Sequence, residues 1–168
     1  LIDAITNGVV VADGAMGTMI QAAAPSLADF EGHEGCNEVL NVTRKDIIAD
    51  IHRAYLSAGS QAIETNTFGA NLANLAEYGI EGRIEELAQA GAQIARAVAD
   101  EFDTPDEPRW VLGSVGPGTK LPTLLHTEYR TLRDAYQTQT RGLIRGGCDA
   151  ILIETAQDLL QAKAAIVG

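Results

Sequence analysis

The sequence is poor in several residue types, and each shortage excludes a class of protein. Its two cysteines, Cys36 and Cys148, form neither a disulfide framework nor a CxxC pair, so a reducing compartment is expected. Only 12 basic residues accompany 23 acidic ones, and the formal net charge is −11. Nucleic acids and anionic membranes need a basic patch, so neither partner is expected. No apolar run could span a bilayer and no signal peptide is visible, which predicts a cytoplasmic protein.

Nucleotide-binding glycine motifs are also missing. No GxxxxGK(S/T) occurs, and the segment Gly113-Ser-Val-Gly-Pro-Gly118 does not fit GxGxxG, because Pro117 removes an amide that a phosphate would use. Apolar residues nevertheless make up 46% of the 168 residues, enough to bury a core. The chain begins with Leu1 rather than Met, so a longer parent protein is expected.

What the sequence does contain is an apolar strand running into a short polar or glycine-rich turn, repeated along the chain. The predicted strands are residues 9–12, 62–65, 110–115 and 150–153. Predicted helices follow at 47–58, 84–102, 129–146 and 156–167, and a long loop is predicted at about 22–41. Strands that alternate with helices indicate an α/β fold with a parallel sheet, either open or closed into a barrel.

Local signals add detail to these elements. Thr43 with Asp46 resembles a capping box, and Thr127 is predicted to cap the helix at 129–146. Gly91 inside a helix predicts close packing against a neighbouring element. His52 is predicted to lie on the outer surface of its helix.

Two carboxylates end predicted strands. Asp13 ends the first strand and Glu154 the fourth. Side by side at one rim, they could grip an ammonium group or act as an acid/base pair. Alternatively, each could cap the turn or helix that follows it.

Small groups at the other strand ends have two interpretations each. The amides of Gly14, Ala15 and Met16 could bind a carboxylate, but the glycines could instead permit positive φ in a tight turn, which spacing alone favours. Asn66 and Ser114 could orient a substrate or satisfy the backbone at the rim, the commoner case. His126 could face the same pocket. Neither cysteine has a ligand partner at a suitable spacing, so no metal site is expected in this chain.

These residues resemble the N-terminal part of the homocysteine S-methyltransferase family, closest to its cobalamin-dependent branch. The segments that carry the resemblance lie in the family's order: Asp13-Gly-Ala-Met-Gly-Thr-Met-Ile-Gln21, Gly35-Cys-Asn-Glu38, Ala58-Gly-Ser-Gln-Ala-Ile-Glu-Thr-Asn-Thr-Phe-Gly69, Gly113-Ser-Val-Gly-Pro-Gly118 and Asp149-Ala-Ile-Leu-Ile-Glu-Thr155. Together they are specific, whereas any one alone would be weak.

The resemblance implies a (β/α)8 barrel whose site lies at the C-terminal face. It implies that Asp13 and Glu154 hold the amino group of homocysteine and that amides from Gly14 to Met16 take its carboxylate. In the family, three cysteine thiolates hold a zinc that binds the substrate thiol. In the cobalamin-dependent branch, methylcobalamin supplies the methyl group that converts homocysteine to methionine.

The chain departs from the family because those three cysteines belong to the second half of the barrel. Residues 1–168 are therefore expected to form a partial homocysteine-binding domain, about four βα units long. Such a half-barrel would lack the zinc site and be inactive alone. Its partners would be homocysteine and the rest of the parent, namely the second half-barrel and the folate and cobalamin domains.

Two other functions stay open at this point. The unpaired edges of a half-barrel invite pairing with another chain, so the chain could be a non-catalytic, self-associating scaffold. A barrel lyase that uses Glu154 as its base is the other alternative.

Overall fold

The computed structural model describes residues 1–168 as a parallel sheet packed against helices. The strands are β1 (Ala62–Glu64), β2 (Trp110–Val115) and β3 (Ala150–Ile153), and they lie in that order with both pairs parallel. The helices are α1 (Ile2–Asn7), α2 (Met16–Ala23), α3 (Leu40–Thr43), α4 (Lys45–Ser57), α5 (Leu72–Glu77), α6 (Ile84–Phe102), α7 (Tyr129–Gly146) and α8 (Leu159–Val167). The predicted α/β class and parallel sheet are confirmed.

The predicted first strand is reduced to a single bridge between Ala12 and Ala62. The amide of Asp13 donates to the Ala62 carbonyl at 3.0 Å, as in a parallel ladder. The next ladder bond would join the Glu64 amide to the Asp13 carbonyl. Instead, the Glu64 amide donates to the Asp13 carboxylate at 3.0 and 3.1 Å. The Asp13 side chain thus ends the strand, which corrects the prediction of a regular strand at 9–12.

Helices α4, α6 and α7 cover one face of the sheet. Ile63 and Val111 pack in one buried cluster with side chains of α4 and α6, while Val115 packs with side chains of α6 and α7. Side chains alternate between the faces of a strand, so Glu64 and Ser114 project from the opposite face. That opposite face carries the polar strand ends described below.

Several predicted boundaries were wrong. The region 22–41 is not one loop: it contains the end of α2, the 3₁₀ turns Leu27–Phe30 and Asn37–Val39, and the start of α3. The Thr43 hydroxyl caps no amide, because it donates to the carbonyls of Asp29 and Val39. Helix α7 begins after Glu128 without a side-chain cap at Thr127. Helix α8 begins at Leu159, three residues later than predicted, and Asp158 caps it.

Gly91 and His52 show how tightly the helices pack. A Cβ at Gly91 would lie 2.7 Å from Thr67 Cγ2 and 2.8 Å from Asn41 Nδ2, which confirms the predicted close approach. His52 was predicted at the surface, but its side chain is 0% exposed, and neither ring nitrogen has a hydrogen-bond partner. Burial lowers the pKa of His52 to about 4.

No helix in the structure combines the length and the apolar character that crossing a membrane requires.

Candidate functional site

A cavity of about 380 Å³ opens at the carboxyl ends of the strands. This is the end at which parallel α/β folds place their chemistry. Its wall is formed by Gly14, Ala15, Met16, Gly17, Asn37, Glu38, Glu64, Thr65, Asn66, Phe68, Ser114 and Glu154. The wall therefore contains three carboxyl groups and no lysine, arginine or histidine. All but one of the predicted substrate-binding residues meet here; the exception is Asp13.

Glu154 is held in place by the strand beside it. It follows β3 directly, and its Oε1 accepts a hydrogen bond from Ser114 Oγ at 2.6 Å. The Ser114 amide is in turn bound to Thr65 Oγ1 at 3.0 Å. Thr155, the next residue, has φ of 55°, a left-handed conformation that a threonine adopts at a cost. Ser114 thus orients Glu154 at the cavity wall.

Glu64 is a candidate functional residue on the cavity wall that the sequence analysis missed. It ends β1, and its carboxyl group lies on the same cavity wall as that of Glu154, close enough for the two charges to interact. Burial, followed by the negative charge of Glu154, raises the pKa of Glu64. A signal was available: Glu64 is an acidic residue at the end of an apolar strand, the same position that drew attention to Asp13 and Glu154.

Asp13 and Glu154 do not lie on adjacent strands. Residues 11–13 run along β1, whereas Glu154 follows β3 at the other end of the sheet. The Asp13 carboxylate lies behind the cavity wall, where it accepts the Glu64 amide. Burial is the main cause that raises the pKa of Asp13 to about 7; the Glu64 amide opposes this rise and the Glu64 charge adds to it. Glu64 therefore lies next to both predicted residues: its amide donates to Asp13, and its side chain shares the cavity wall with Glu154.

The segment from Gly14 to Gly17 is the start of a helix. Neither glycine has a positive φ, so the tight-turn interpretation, which spacing favoured, is wrong. Helix α2 begins at Met16, and no side chain caps its first turn. First-turn amides have no partner within a helix, and they carry partial positive charge. A Cβ at Gly14 would meet Tyr55 Oη at 3.3 Å. The amides at this end of the cavity suit an anion.

Asn66 lines the cavity, but other partners occupy its side-chain amide. Its Nδ2 donates to the Asn37 carbonyl and to Asn41 Oδ1, both at 2.9 Å. This arrangement favours the structural interpretation, in which Asn66, just after β1, is bonded to Asn37 before α3 and to Asn41 within α3.

Glu38 is a second acidic residue that the sequence analysis did not single out. Its Oε1 accepts the Gly69 amide at 2.8 Å, and its Oε2 accepts the Cys36 thiol at 3.6 Å. Burial raises the pKa of Glu38, and burial with the Glu38 charge raises the pKa of Cys36 to about 12. Both oxygens of Glu38 are thus already engaged, and Cys36 is a protonated thiol at neutral pH.

No three histidine, cysteine, aspartate or glutamate side chains are grouped in a way that could hold a metal ion. Cys148 lies just before β3, at the opposite end of the strands from the cavity. His126 was predicted as a residue that could face the pocket, but it is exposed, and its Nδ1 accepts the Leu121 amide at 3.4 Å. It is not part of the cavity wall.

Sequence comparison identifies the class of protein. The homocysteine S-methyltransferase family matches residues 10–168, and the chain belongs to it. The chain is 60% identical over its whole length to methionine synthase of Mycobacterium tuberculosis and 58% identical to that of Mycobacterium leprae. It spans 14% of the length of each of these relatives.

Solved structures agree on the fold. The homocysteine methyltransferase MmuM of Escherichia coli, in its oxidized form, matches with a TM-score of 0.75 and 23% identity over 93% of this chain and 56% of MmuM. Its metallated form matches with a TM-score of 0.74 and 21% identity over 95% of this chain and 58% of MmuM. At this level of identity the likeness establishes the fold alone.

Proposed function

We propose that the chain is the amino-acid-recognition part of an enzyme that methylates the thiol of homocysteine to give methionine. One observation carries the proposal: in a member of this family, a single cavity is lined both by uncapped helix amides and by carboxyl groups. An α-amino acid presents the matching pair of charges. The parallel sheet and its helices are then the first half of a (β/α)8 barrel.

Each end of the cavity has a role in this proposal. The amides from Gly14 to Met16 bind the homocysteine carboxylate, because they carry the partial positive charge of a helix N-terminus. Glu154, oriented by Ser114, binds the ammonium group. Asp13 supports the negative potential from behind the wall, where it fixes the Glu64 amide. Asn66 shapes the wall through its bonds to neighbouring backbone.

The cofactors of this chemistry are not assigned to this chain. Zinc, when bound, would stabilise a substrate thiolate, but the residues present do not fit it: Cys36 is a buried thiol bonded to Glu38, and Cys148 lies at the opposite end of the strands. No residue here is assigned to cobalamin. The resemblance to the cobalamin-dependent branch and the identity to methionine synthase support methylcobalamin as the methyl donor of the whole protein. Because the chain offers no zinc ligands, we expect it to be inactive alone.

The two alternative functions are a barrel lyase and a self-associating scaffold. Membership of the methyltransferase family favours methyl transfer over a lyase reaction at Glu154. Self-association remains a prediction. It is supported by residues 9–13, which run along β1 at the edge of the sheet and in which Val9 and Val11 are 86% and 53% exposed. Sedimentation that gives a clean monomer at high concentration would exclude it.

Calorimetry with homocysteine in zinc-free buffer tests the proposed function. We expect weak binding that Glu154→Gln lowers about tenfold or more, because a charge-assisted hydrogen bond is lost. Asp13→Asn is expected to have a smaller effect, and Glu81→Gln, at an exposed residue outside the cavity wall, serves as the matched control. Binding that neither Glu154→Gln nor Asp13→Asn changes would refute the site assignment.

A further inference from the structure

The carboxyl groups at the cavity have no cation to balance them. Glu64 on β1, Glu154 after β3 and Glu38 on the 3₁₀ turn line the wall, with Asp13 behind it. Strand β2 contributes no charge, only Ser114. The 12 wall residues include no basic side chain. Two carboxylates that line one cavity repel each other, so a proton on one of them relieves the repulsion.

Geometry identifies Glu64 as the residue that keeps this proton. Ser114 Oγ already donates to Glu154 at 2.6 Å, and Thr155 Oγ1 lies 3.4 Å from its other oxygen. Both oxygens of Glu154 thus face a hydroxyl group that can donate to them. Glu64 has no such donor on its carboxyl group, and it shares the cavity wall with Glu154. The other charged groups nearby, Asp13 and Glu38, are acidic and add no competing cation.

We propose that Glu64 is a further substrate-binding residue, which releases its proton when the ammonium group of homocysteine inserts between Glu64 and Glu154. This inference rests on the proposed function of the cavity. In the exchange, the O–H bond of the Glu64 carboxyl group breaks and the proton passes to the buffer. The substrate ammonium then donates to both carboxylates and supplies the missing positive charge. No oxidant or other reactant is required.

The exchange makes affinity depend on pH in a defined way. Below the pKa of Glu64, the affinity for homocysteine should rise with pH, by up to about tenfold per pH unit for one released proton. Glu64→Gln separates hydrogen bonding from proton release, because the glutamine side-chain amide can still donate to Glu154 but has no proton to release. Asp13 also carries a raised pKa, so Asp13→Asn is the matched control that leaves the Glu64 proton in place.

Two measurements on the chain test this inference. The first follows the Glu64 carboxyl carbon by NMR during a pH titration without substrate. The titration midpoint should lie above that of an ordinary glutamate and fall in Glu154→Gln. The second is homocysteine calorimetry in buffers of different ionisation heat. On binding homocysteine, the wild type should release more protons than Glu64→Gln, by up to about one per homocysteine. Asp13→Asn should still release the protons that come from Glu64.

The outcomes distinguish this inference from the proposed function. Equal proton release by the wild type and Glu64→Gln would overturn the exchange while homocysteine still binds. An ordinary midpoint for Glu64 would overturn it without reference to substrate. A raised midpoint without any homocysteine binding would instead reject the proposed function, and the exchange with it.

Discussion

Asparagine at position 13 should relieve a cost that the folded chain carries at neutral pH. Burial raises the pKa of Asp13 from 3.8 to about 7. A carboxyl group whose pKa is higher in the folded state stabilises the fold below its unfolded pKa, and that contribution is lost as pH rises through the folded pKa. The loss therefore falls between about pH 4 and about pH 7. At about 1.4 kcal/mol per pH unit it amounts to at most about 4 kcal/mol; solvent contact reduces our expectation to about 2 kcal/mol.

Urea unfolding at about pH 5 and about pH 8 measures this effect. Asp13→Asn should be more stable relative to the wild type at the higher pH than at the lower one. Asparagine Oδ1 can still accept the Glu64 amide, so the comparison isolates the charge. Asp29→Asn is the matched control, because Ser26 and Arg44 lower the pKa of Asp29, so its carboxylate is ionised in both states at both pH values and its effect on stability should not change between them. A stability difference between Asp13→Asn and the wild type that does not change with pH would refute the reasoning.

Two further predictions concern packing and burial. Gly69→Ala should lower the free energy of unfolding by about 2 kcal/mol, because its Cβ would lie 2.6 Å from Glu38 Oε1. The control is Gly82→Ala, whose Cβ meets nothing within 4 Å and which should be close to neutral in the same urea experiment. His52→Leu should make the free energy of unfolding less sensitive to acid. Neutral His52 contributes fully to that free energy above about pH 6.5, and the contribution is lost towards pH 4, by about 2 kcal/mol at pH 5. Identical pH profiles for the wild type and His52→Leu would contradict this.

The sequence predicted the three strands that pair in the sheet. Residues 150–153 were placed correctly and residues 62–65 to within one residue, because near-continuous apolar runs indicate parallel strands. Residues 110–115 were also placed correctly. The first strand was overestimated because the same apolar pattern continues through residues 9–12, whereas Asp13 diverts the ladder bond to its side chain. Hydrophobic pattern carries no information about that choice.

The candidate site was predicted in part for a similar reason. Strand-end position alone pointed to Asp13, Ser114 and Glu154. The proposed role of Glu64 depends on Glu154, which is 90 residues away in sequence, and only the folded sheet places both carboxyl groups on one cavity wall. The burial of His52 likewise depends on tertiary packing, since helical spacing alone placed it on the outer side.

Amide NMR of the isotopically labelled chain, titrated with homocysteine, tests the central claim most directly. The account predicts that the largest shifts fall on the amides from Gly14 to Gly17 and on the strand ends at Ser114 and Glu154, the two ends of one cavity. Shifts confined to the separate hollow around Pro122, or no shift at any of these positions, would contradict it.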